Sequence, residues 1–242
     1  MMVMMMRIFQ LQRIWHVTVA SQLIHGKSIG LGQFAYVSDE EASRLIRNLQ
    51  PKTSPLDYIP ISILNDCSVV FGPIIASLAN LSLTEGKFPN MFTVGEVMPL
   101  LKKPGVGLDD MSNYRPITNL NTIEKLLGRL AQAQLRKHIE SSTNAAPLQS
   151  SYHVLQSTET AMMGVISDLL STTNSKTPSG LLSLDIERHV RHFRRLLDRS
   201  KKLFGFNDTV LQWWSSYLAG RSQFVSIEGR HSSTVAMTTS VP

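Results

Sequence analysis

A short apolar run near the centre of the 242-residue chain constrains its fold more than any other stretch. Leu181 to Leu184 reads LLSL and ends directly at Asp185. A run of this length that stops at a polar residue is typical of a strand buried on both faces of a sheet. The pattern therefore predicts a central strand that delivers the Asp185 carboxylate to the edge of a sheet. By itself, an aspartate at a strand end is only a weak sign of catalysis.

The residues that follow Asp185 are strongly basic. Seven lysines or arginines fall between Arg188 and Lys202. One interpretation is a patch that binds nucleic acid, and the net charge of +6 on the whole chain favours an anionic partner of this kind. A basic surface without a partner explains the net charge equally well.

Composition limits the class of protein. A single cysteine, Cys67, excludes an internal disulfide and a thiolate metal cluster, which favours a reducing, intracellular location. We expect Cys67 to be packed as a small apolar side chain. No uninterrupted apolar run approaches the roughly 18 residues of a membrane span, so the sequence predicts neither a spanning segment nor a membrane partner.

Periodicity predicts a mixed chain in which helices dominate the first part. Ser38 begins a capping motif with Glu41, and Pro51 to Pro60 is a turn-rich connection. A predicted strand ends just before Lys102 and Lys103, and a second extended segment starts near Asn113. Together they would form one hairpin that carries two basic sites. The predicted helices cover 39–49, 61–71, 73–83, 122–141, 158–170 and 208–218, and the predicted strands cover 94–101, 113–117, 223–228 and 233–237.

Two tryptophans near the end of the chain have two interpretations. Trp213 and Trp214 could be platforms on which nucleic-acid bases stack. They also recur at helical spacing with Tyr217 and Leu218, which is typical of a core helix. We favour the core interpretation.

Several segments, taken together and in this order, resemble the reverse transcriptase domain of non-LTR (LINE-type) retrotransposons, most closely the Jockey-like branch. The resemblance covers about 37–242. A match of many motifs at near-family spacing is specific, whereas any one piece would carry no weight. The segments are KTSPLDYIP (52–60), VMPLLKKPG (97–105), NYRPITNLNTIEKLLGRL (113–130), PLQSSY (147–152), STETA (157–161) and SYLAGRSQFVSI (216–227).

The resemblance implies a fold and a domain plan. The fold would be the mixed α/β (α+β) fold of a right-hand polymerase, with fingers and a partial palm and with a helix-rich N-terminal part. Residues 1–36 are an unmatched basic segment that we expect to have no fixed fold. Residues 37–179 would build the fingers and the start of the palm, and residues 180–242 a partial, truncated palm.

The resemblance also implies a chemistry and partners. Members of this family are RNA-directed DNA polymerases that transfer nucleotides with two Mg²⁺ ions. Their partners are an RNA template, a DNA primer and deoxynucleoside triphosphates. Asp185 matches the first palm aspartate, a catalytic ligand of those metals. Arg115 matches the arginine that contacts the incoming triphosphate. Lys102 and Lys103 would assist at the same anion or at the template backbone. The oligomeric state stays open.

Departures from the family pattern predict lost activity. The family continues from its palm aspartate approximately as DLSAAFDTVDH, where this chain has Ile186, Glu187, Arg188, His189 and Val190. A local frameshift would explain the change, because codons for 186–194 read two bases later can encode nearly that string. The chain also stops before the paired aspartates of the family. We therefore expect that this chain alone does not polymerise.

Two alternatives stay open beside an inactive polymerase domain fragment. One is a nucleic-acid-binding remnant without catalysis, and the other is a nonfunctional translated pseudogene fragment that folds poorly. We expect an intracellular location in the nucleus or cytoplasm. The segment before Asp39 has no acidic residue and so shares its composition with mitochondrial transit peptides, but we do not favour that location.

Overall fold

The computed structural model describes residues 30–52, 54–144, 150, 155–175 and 193–237. The described residues form a mixed α/β structure, as the sequence predicts. The helices are α1 (Asp39–Arg47), α2 (Ile61–Asp66), α3 (Ser68–Glu85), α4 (Thr122–Ser141), α5 (Thr158–Asn174), α6 (Phe193–Phe204) and α7 (Asp208–Leu218), and the strands are β1 (Val94–Leu101), β2 (Tyr114–Asn119), β3 (Ser222–Ile227), β4 (Arg230–His231) and β5 (Val235–Ala236).

Helix α1 begins where the capping motif predicts. The Glu41 N–H donates to the Ser38 hydroxyl oxygen over 3.1 Å, and acidic residues fill the first turn, where the helix dipole favours negative charge. Ala42 and Ile46 of this helix are fully buried. The cap therefore fixes the start of an element that packs into the core.

The boundary between α2 and α3 differs from the prediction. The sequence suggested a break at Gly72 and Pro73, but the helices separate at Cys67 and Pro73 lies inside α3. Gly72 serves close packing rather than helix termination, because a Cβ there would lie 1.8 Å from the Ser43 hydroxyl oxygen of α1. Cys67 is exposed, so the expectation that it would be packed is wrong.

Helix α3 has the length and composition of a membrane-spanning helix. The sequence criterion missed this because Ser77, Asn80 and Ser82 interrupt the apolar run. The same test is passed by core helices of proteins that cross no membrane, and Ile75, Ala76 and other residues on one face of α3 are buried against the rest of the chain. The inner face of α3 is thus part of the core.

The strands form one mixed sheet in the order β2-β1-β3-β4, with β5 also paired to β3. Strands β1 and β2 are antiparallel, with Met98 opposite Ile117. Strands β1 and β3 are parallel, with Val94 aligned with Ser222. The second of the two late strands that the sequence predicts is shorter in the structure and is preceded by β4.

Helix α7 supplies the centre of the core. Trp213, Trp214 and Tyr217 are at most 1% exposed, so the core interpretation of the tryptophans is confirmed. The indole N–H of Trp213 donates to the hydroxyl oxygen of Ser82 on α3 over 2.9 Å. Phe88 packs edge-on against the rings of both Trp213 and Tyr217. The last part of the described chain therefore completes a core that the first part begins.

Residues 30–36 also contribute to this core, although they belong to the segment expected to have no fixed fold. Leu31 pairs with Phe206 through a parallel bridge, and the Phe34 ring lies 5.7 Å from Trp213. Residues 1–29 lie outside the described residues.

Helix α5 begins at its predicted first residue but extends beyond its predicted end. Ser157 and Thr160 form a reciprocal capping box. The helix continues past Leu170, where the prediction ends it, to Asn174. The Thr172 and Thr173 hydroxyl groups both donate to the Leu169 carbonyl oxygen over 2.8 Å, so these residues satisfy their side chains within the helix.

Replacing Ser82 by alanine should destabilise the core. The S82A variant leaves the buried Trp213 indole N–H without its acceptor, which costs about 1–3 kcal/mol in the free energy of unfolding. Urea denaturation followed by tryptophan fluorescence measures the change. Ser77 lies on the exposed side of the same helix, so S77A is the matched control and should change the free energy little. Equal effects of the two variants would contradict the assigned hydrogen bond.

Candidate functional site

The connection between β1 and β2 is an ordered loop closed by its own hydrogen bonds. The Lys102 N–H donates to the Asn113 carbonyl oxygen over 2.8 Å. The Asn113 side-chain amide donates to the Gly107 carbonyl oxygen, and the Tyr114 hydroxyl donates to that of Leu108, each over 3.0 Å. The loop that carries the predicted lysines is therefore braced from inside.

The register of the hairpin separates the three predicted anion-binding residues. Arg115 lies opposite Leu100, and the backbone bond of Lys102 to Asn113 extends the pairing by one further pair. Because side chains alternate across a sheet, this register places Lys102 on the face of Arg115, as a diagonal neighbour. Lys103 follows in the bend after the last paired residue, and we expect its side chain to point to the other face. All three residues are exposed. We call the surface that Lys102 and Arg115 share the Lys102–Arg115 face.

An acidic residue accompanies this face. Asp110 accepts hydrogen bonds from the Ser112 N–H over 2.8 Å and from the Ser112 hydroxyl over 2.7 Å. These bonds, with a smaller contribution from the charge of Lys102, hold the pKa of the Asp110 carboxyl below its usual value. Asp110 thus stays ionised close to a predicted phosphate-binding lysine.

The predicted catalytic and metal-binding residue, Asp185, lies outside the described residues. The part of the chain that the structure describes contains no group of three or more histidine, cysteine, aspartate or glutamate side chains that could hold a metal ion.

Asp57, an acid within the family-like segment 52–60, has a structural role. Its carboxylate accepts from the backbone N–H and the hydroxyl of Thr122, at 2.5 and 2.7 Å, and from the Ser54 N–H at 2.8 Å. The positive end of the α4 dipole also stabilises a carboxylate at this position. Asp57 therefore joins the proline-rich connection to the start of α4.

A buried ion pair joins α4 to the start of β3. The Arg221 guanidinium contacts the Glu124 carboxylate, and both side chains are at most 1% exposed. Arg221 also donates to the Tyr217 carbonyl oxygen over 2.8 Å and lies 4.8 Å from the centre of the Tyr217 ring. The pair fixes the C-terminal end of α7, and the strand that follows it, against α4.

Burial has the largest effect on the pKa values of Glu124 and Tyr217 in this cluster. Removal from water raises the pKa of Glu124 from 4.5 to about 7, although the Arg221 charge acts in the opposite direction. Burial and the charge of Glu124 also raise the pKa of the Tyr217 phenol.

The predictions from sequence give no role to Glu124 or Arg221. A signal was present, because Glu124 lies on the same helical stripe as buried Leu127, Ala131 and Leu135, where a charge requires a partner.

Comparison with known proteins relates the chain to one class of enzyme. No protein-family model matches it. The chain is 27% identical over 213 residues, or 85% of its length, to a protein of Drosophila funebris, and 28% identical over 214 residues, also 85% of its length, to one of Drosophila melanogaster. Both are RNA-directed DNA polymerases of mobile elements, so the resemblance to reverse transcriptases of non-LTR retrotransposons is confirmed.

Both of the matched proteins come from the mobile element jockey. Each of the two matched proteins is described as "RNA-directed DNA polymerase from mobile element jockey". The chain spans 22% of the length of these relatives, so it is similar to a segment of a much longer polymerase.

The buried glutamate should give the stability a specific pH dependence. Because the pKa of Glu124 is raised to about 7 in the folded chain, its stabilising effect is complete below pH 4.5 and is lost as the pH rises through 7. The full change is about 3 kcal/mol in the free energy of unfolding. Denaturation of the wild-type chain and of E124Q between pH 4.5 and 8 measures it.

The E124Q variant should lack this part of the pH profile, since glutamine does not titrate. Glu85 is exposed at the end of α3, so E85Q is the matched control and should keep the wild-type profile. Parallel profiles for wild-type and E124Q would show that Glu124 does not take up a proton in this range.

Proposed function

We propose that this chain is a reverse-transcriptase segment of a jockey-like non-LTR retrotransposon, that it binds nucleic acid and that it is catalytically inactive. The similarity to two jockey polymerases over 85% of the chain carries the proposal. In this assignment residues 37–179 correspond to fingers and the start of the palm, and residues 180–242 to part of the palm. The partners would be RNA template, DNA primer and deoxynucleoside triphosphates, in the nucleus or cytoplasm.

The Lys102–Arg115 face supports the binding part of the proposal. Two exposed cations on one face of a braced hairpin suit the phosphate groups of a nucleic acid or a triphosphate. The planar guanidinium of Arg115 can donate two parallel hydrogen bonds to phosphate oxygens, whereas Lys102 acts as a point charge. Lys103, on the other face of the hairpin, would contribute less to the same phosphate.

A second basic surface favours retained nucleic-acid binding even without catalysis. Arg199, Lys201 and Lys202 are exposed on α6, while Ser200 and Phe204 of the same helix are buried. The helix therefore presents cations outward and packs its other side into the core. This surface therefore supports the part of the proposal in which the segment binds nucleic acid without catalysis.

The sequence around Asp185 supports the loss of catalysis. The homologous polymerases imply a divalent-metal requirement, and Asp185 would be one ligand. Magnesium is held by several oxygen donors, and cations nearby oppose its binding. Arg188 and Arg191 follow Asp185 where the family pattern has small, apolar and acidic residues. On this proposal, the positive charges that follow Asp185 prevent it from taking part in a two-Mg²⁺ site.

Removal of either cation of the Lys102–Arg115 face should weaken binding to single-stranded RNA. We expect K102A and R115A each to reduce the affinity for a labelled 20-nucleotide poly(U) severalfold, and to lower the slope of log affinity against log salt by about 0.7, which corresponds to one lost phosphate contact. Fluorescence anisotropy between 50 and 300 mM KCl measures both quantities.

Lys103 provides a matched control for this experiment. K103A removes the same charge from the neighbouring position but from the other face, so its effect should be smaller than that of K102A. Equal losses in the two variants would contradict the face assignment. Binding by the wild-type chain without salt dependence would contradict the proposed phosphate contacts.

Primer extension should be undetectable. The purified chain, a poly(rA) template, an oligo(dT) primer, dTTP and Mg²⁺ should yield no extended product, because Arg188 and Arg191 follow Asp185 where the family pattern has a small and an acidic residue. An active reverse transcriptase serves as the positive control. Extension by this chain that is abolished in D185N would overturn the assignment as inactive.

A further inference from the structure

The loop between β1 and β2 carries as many acids as lysines. Lys102 and Lys103 are followed by Asp109 and Asp110, and all four residues are exposed. The formal charge of the loop is therefore zero. Arg115 on β2 adds one exposed positive charge, and the remaining acid of the hairpin, Glu96 on β1, is buried. A phosphate that approaches Lys102 is therefore not in a purely basic environment.

Asp110 is held in place, unlike most surface carboxylates. Both of its oxygens accept hydrogen bonds from Ser112, and these bonds cap the short 3-10 helix Met111–Asn113. The helix leads directly into β2 and so to Arg115. The Lys102 N–H bonds the carbonyl oxygen of Asn113, the last residue of the same 3-10 helix. The carboxylate and the lysine backbone are thus anchored to one turn.

We propose that Asp110 limits the affinity of the Lys102–Arg115 face for phosphate groups. Its negative charge offsets that of Lys102 and repels an incoming phosphate, and the Ser112 bonds prevent the carboxylate from rotating away. This inference rests on the proposed function, because it takes the phosphates of nucleic acid as the ligand. Asp110 acts on the ligand through charge and is not itself a binding residue.

Neutralising Asp110 should therefore strengthen binding. We expect D110N to bind the labelled 20-nucleotide poly(U) about 3-fold more tightly than the wild-type chain at 50 mM KCl, which is the size of a single exposed charge interaction. The gain should shrink at 300 mM KCl, where salt screens the interaction over a shorter distance. A second variant, D110S, removes the charge and keeps a residue suited to capping.

Asp66 provides the matched control for net charge. It is exposed on α2, a helix that packs against α1 and α3, so D66N raises the net charge by the same amount elsewhere. The gain of D110N should also be reduced by at least half when it is measured in a K102A background, because the two charges act together. Circular dichroism verifies that each variant is folded.

The outcomes separate this inference from the proposed function. Gains of D110N and D110S no larger than that of D66N would overturn the role of Asp110 while leaving the binding itself intact. Binding that is absent in the wild-type chain but present in D110N would support the inference. Binding absent in both would overturn the inference and the proposed function together.

Discussion

The ion pair between Glu124 and Arg221 is the interaction on which the arrangement of this chain depends. It joins α4 to the residue that precedes β3, and β3 pairs in parallel with β1. Strand β1 in turn holds β2 and its exposed arginine. Truncation of Arg221 would leave the buried Glu124 carboxyl without this partner, which costs about 1–3 kcal/mol in the free energy of unfolding. The contact between Glu124 and Arg221 therefore positions the hairpin indirectly, through β3 and then β1.

The elements that the sequence predicts well are those set by local signals. The 3.6-residue period of α4 predicts both ends of that helix, since Asn121 caps its start and its apolar stripe is continuous. Ser38 and Ser157 mark helix starts for the same reason. The break between α2 and α3 was misplaced because Gly72 has two interpretations from sequence. Only the approach of Ser43, a residue distant in sequence, shows that close packing is the correct one.

The elements that the sequence predicts poorly depend on long-range pairing. Nothing local indicates that β3 aligns with β1 in parallel, or that residues 30–36 pack beside α7. The same limit applies to the candidate site. The sequence brings Lys102, Lys103 and Arg115 to one hairpin, but only the register separates Lys102 from Lys103. The role of Asp110 requires the loop geometry, and the prediction for Asp185 stays untested because that residue is outside the described part of the chain.

Folding, phosphate binding and catalysis place different demands on such a chain. Folding requires that buried polar groups have partners: Ser82 accepts the hydrogen bond of the Trp213 indole, and Arg221 contacts one oxygen of the Glu124 carboxylate. Phosphate binding requires only exposed cations at a suitable spacing on a rigid support. Metal-dependent catalysis requires several carboxylates to converge within ångströms, so a short run of substitutions can abolish it. On these demands, substitutions in a short segment can remove catalysis from a polymerase domain while its core and its exposed cations remain in place.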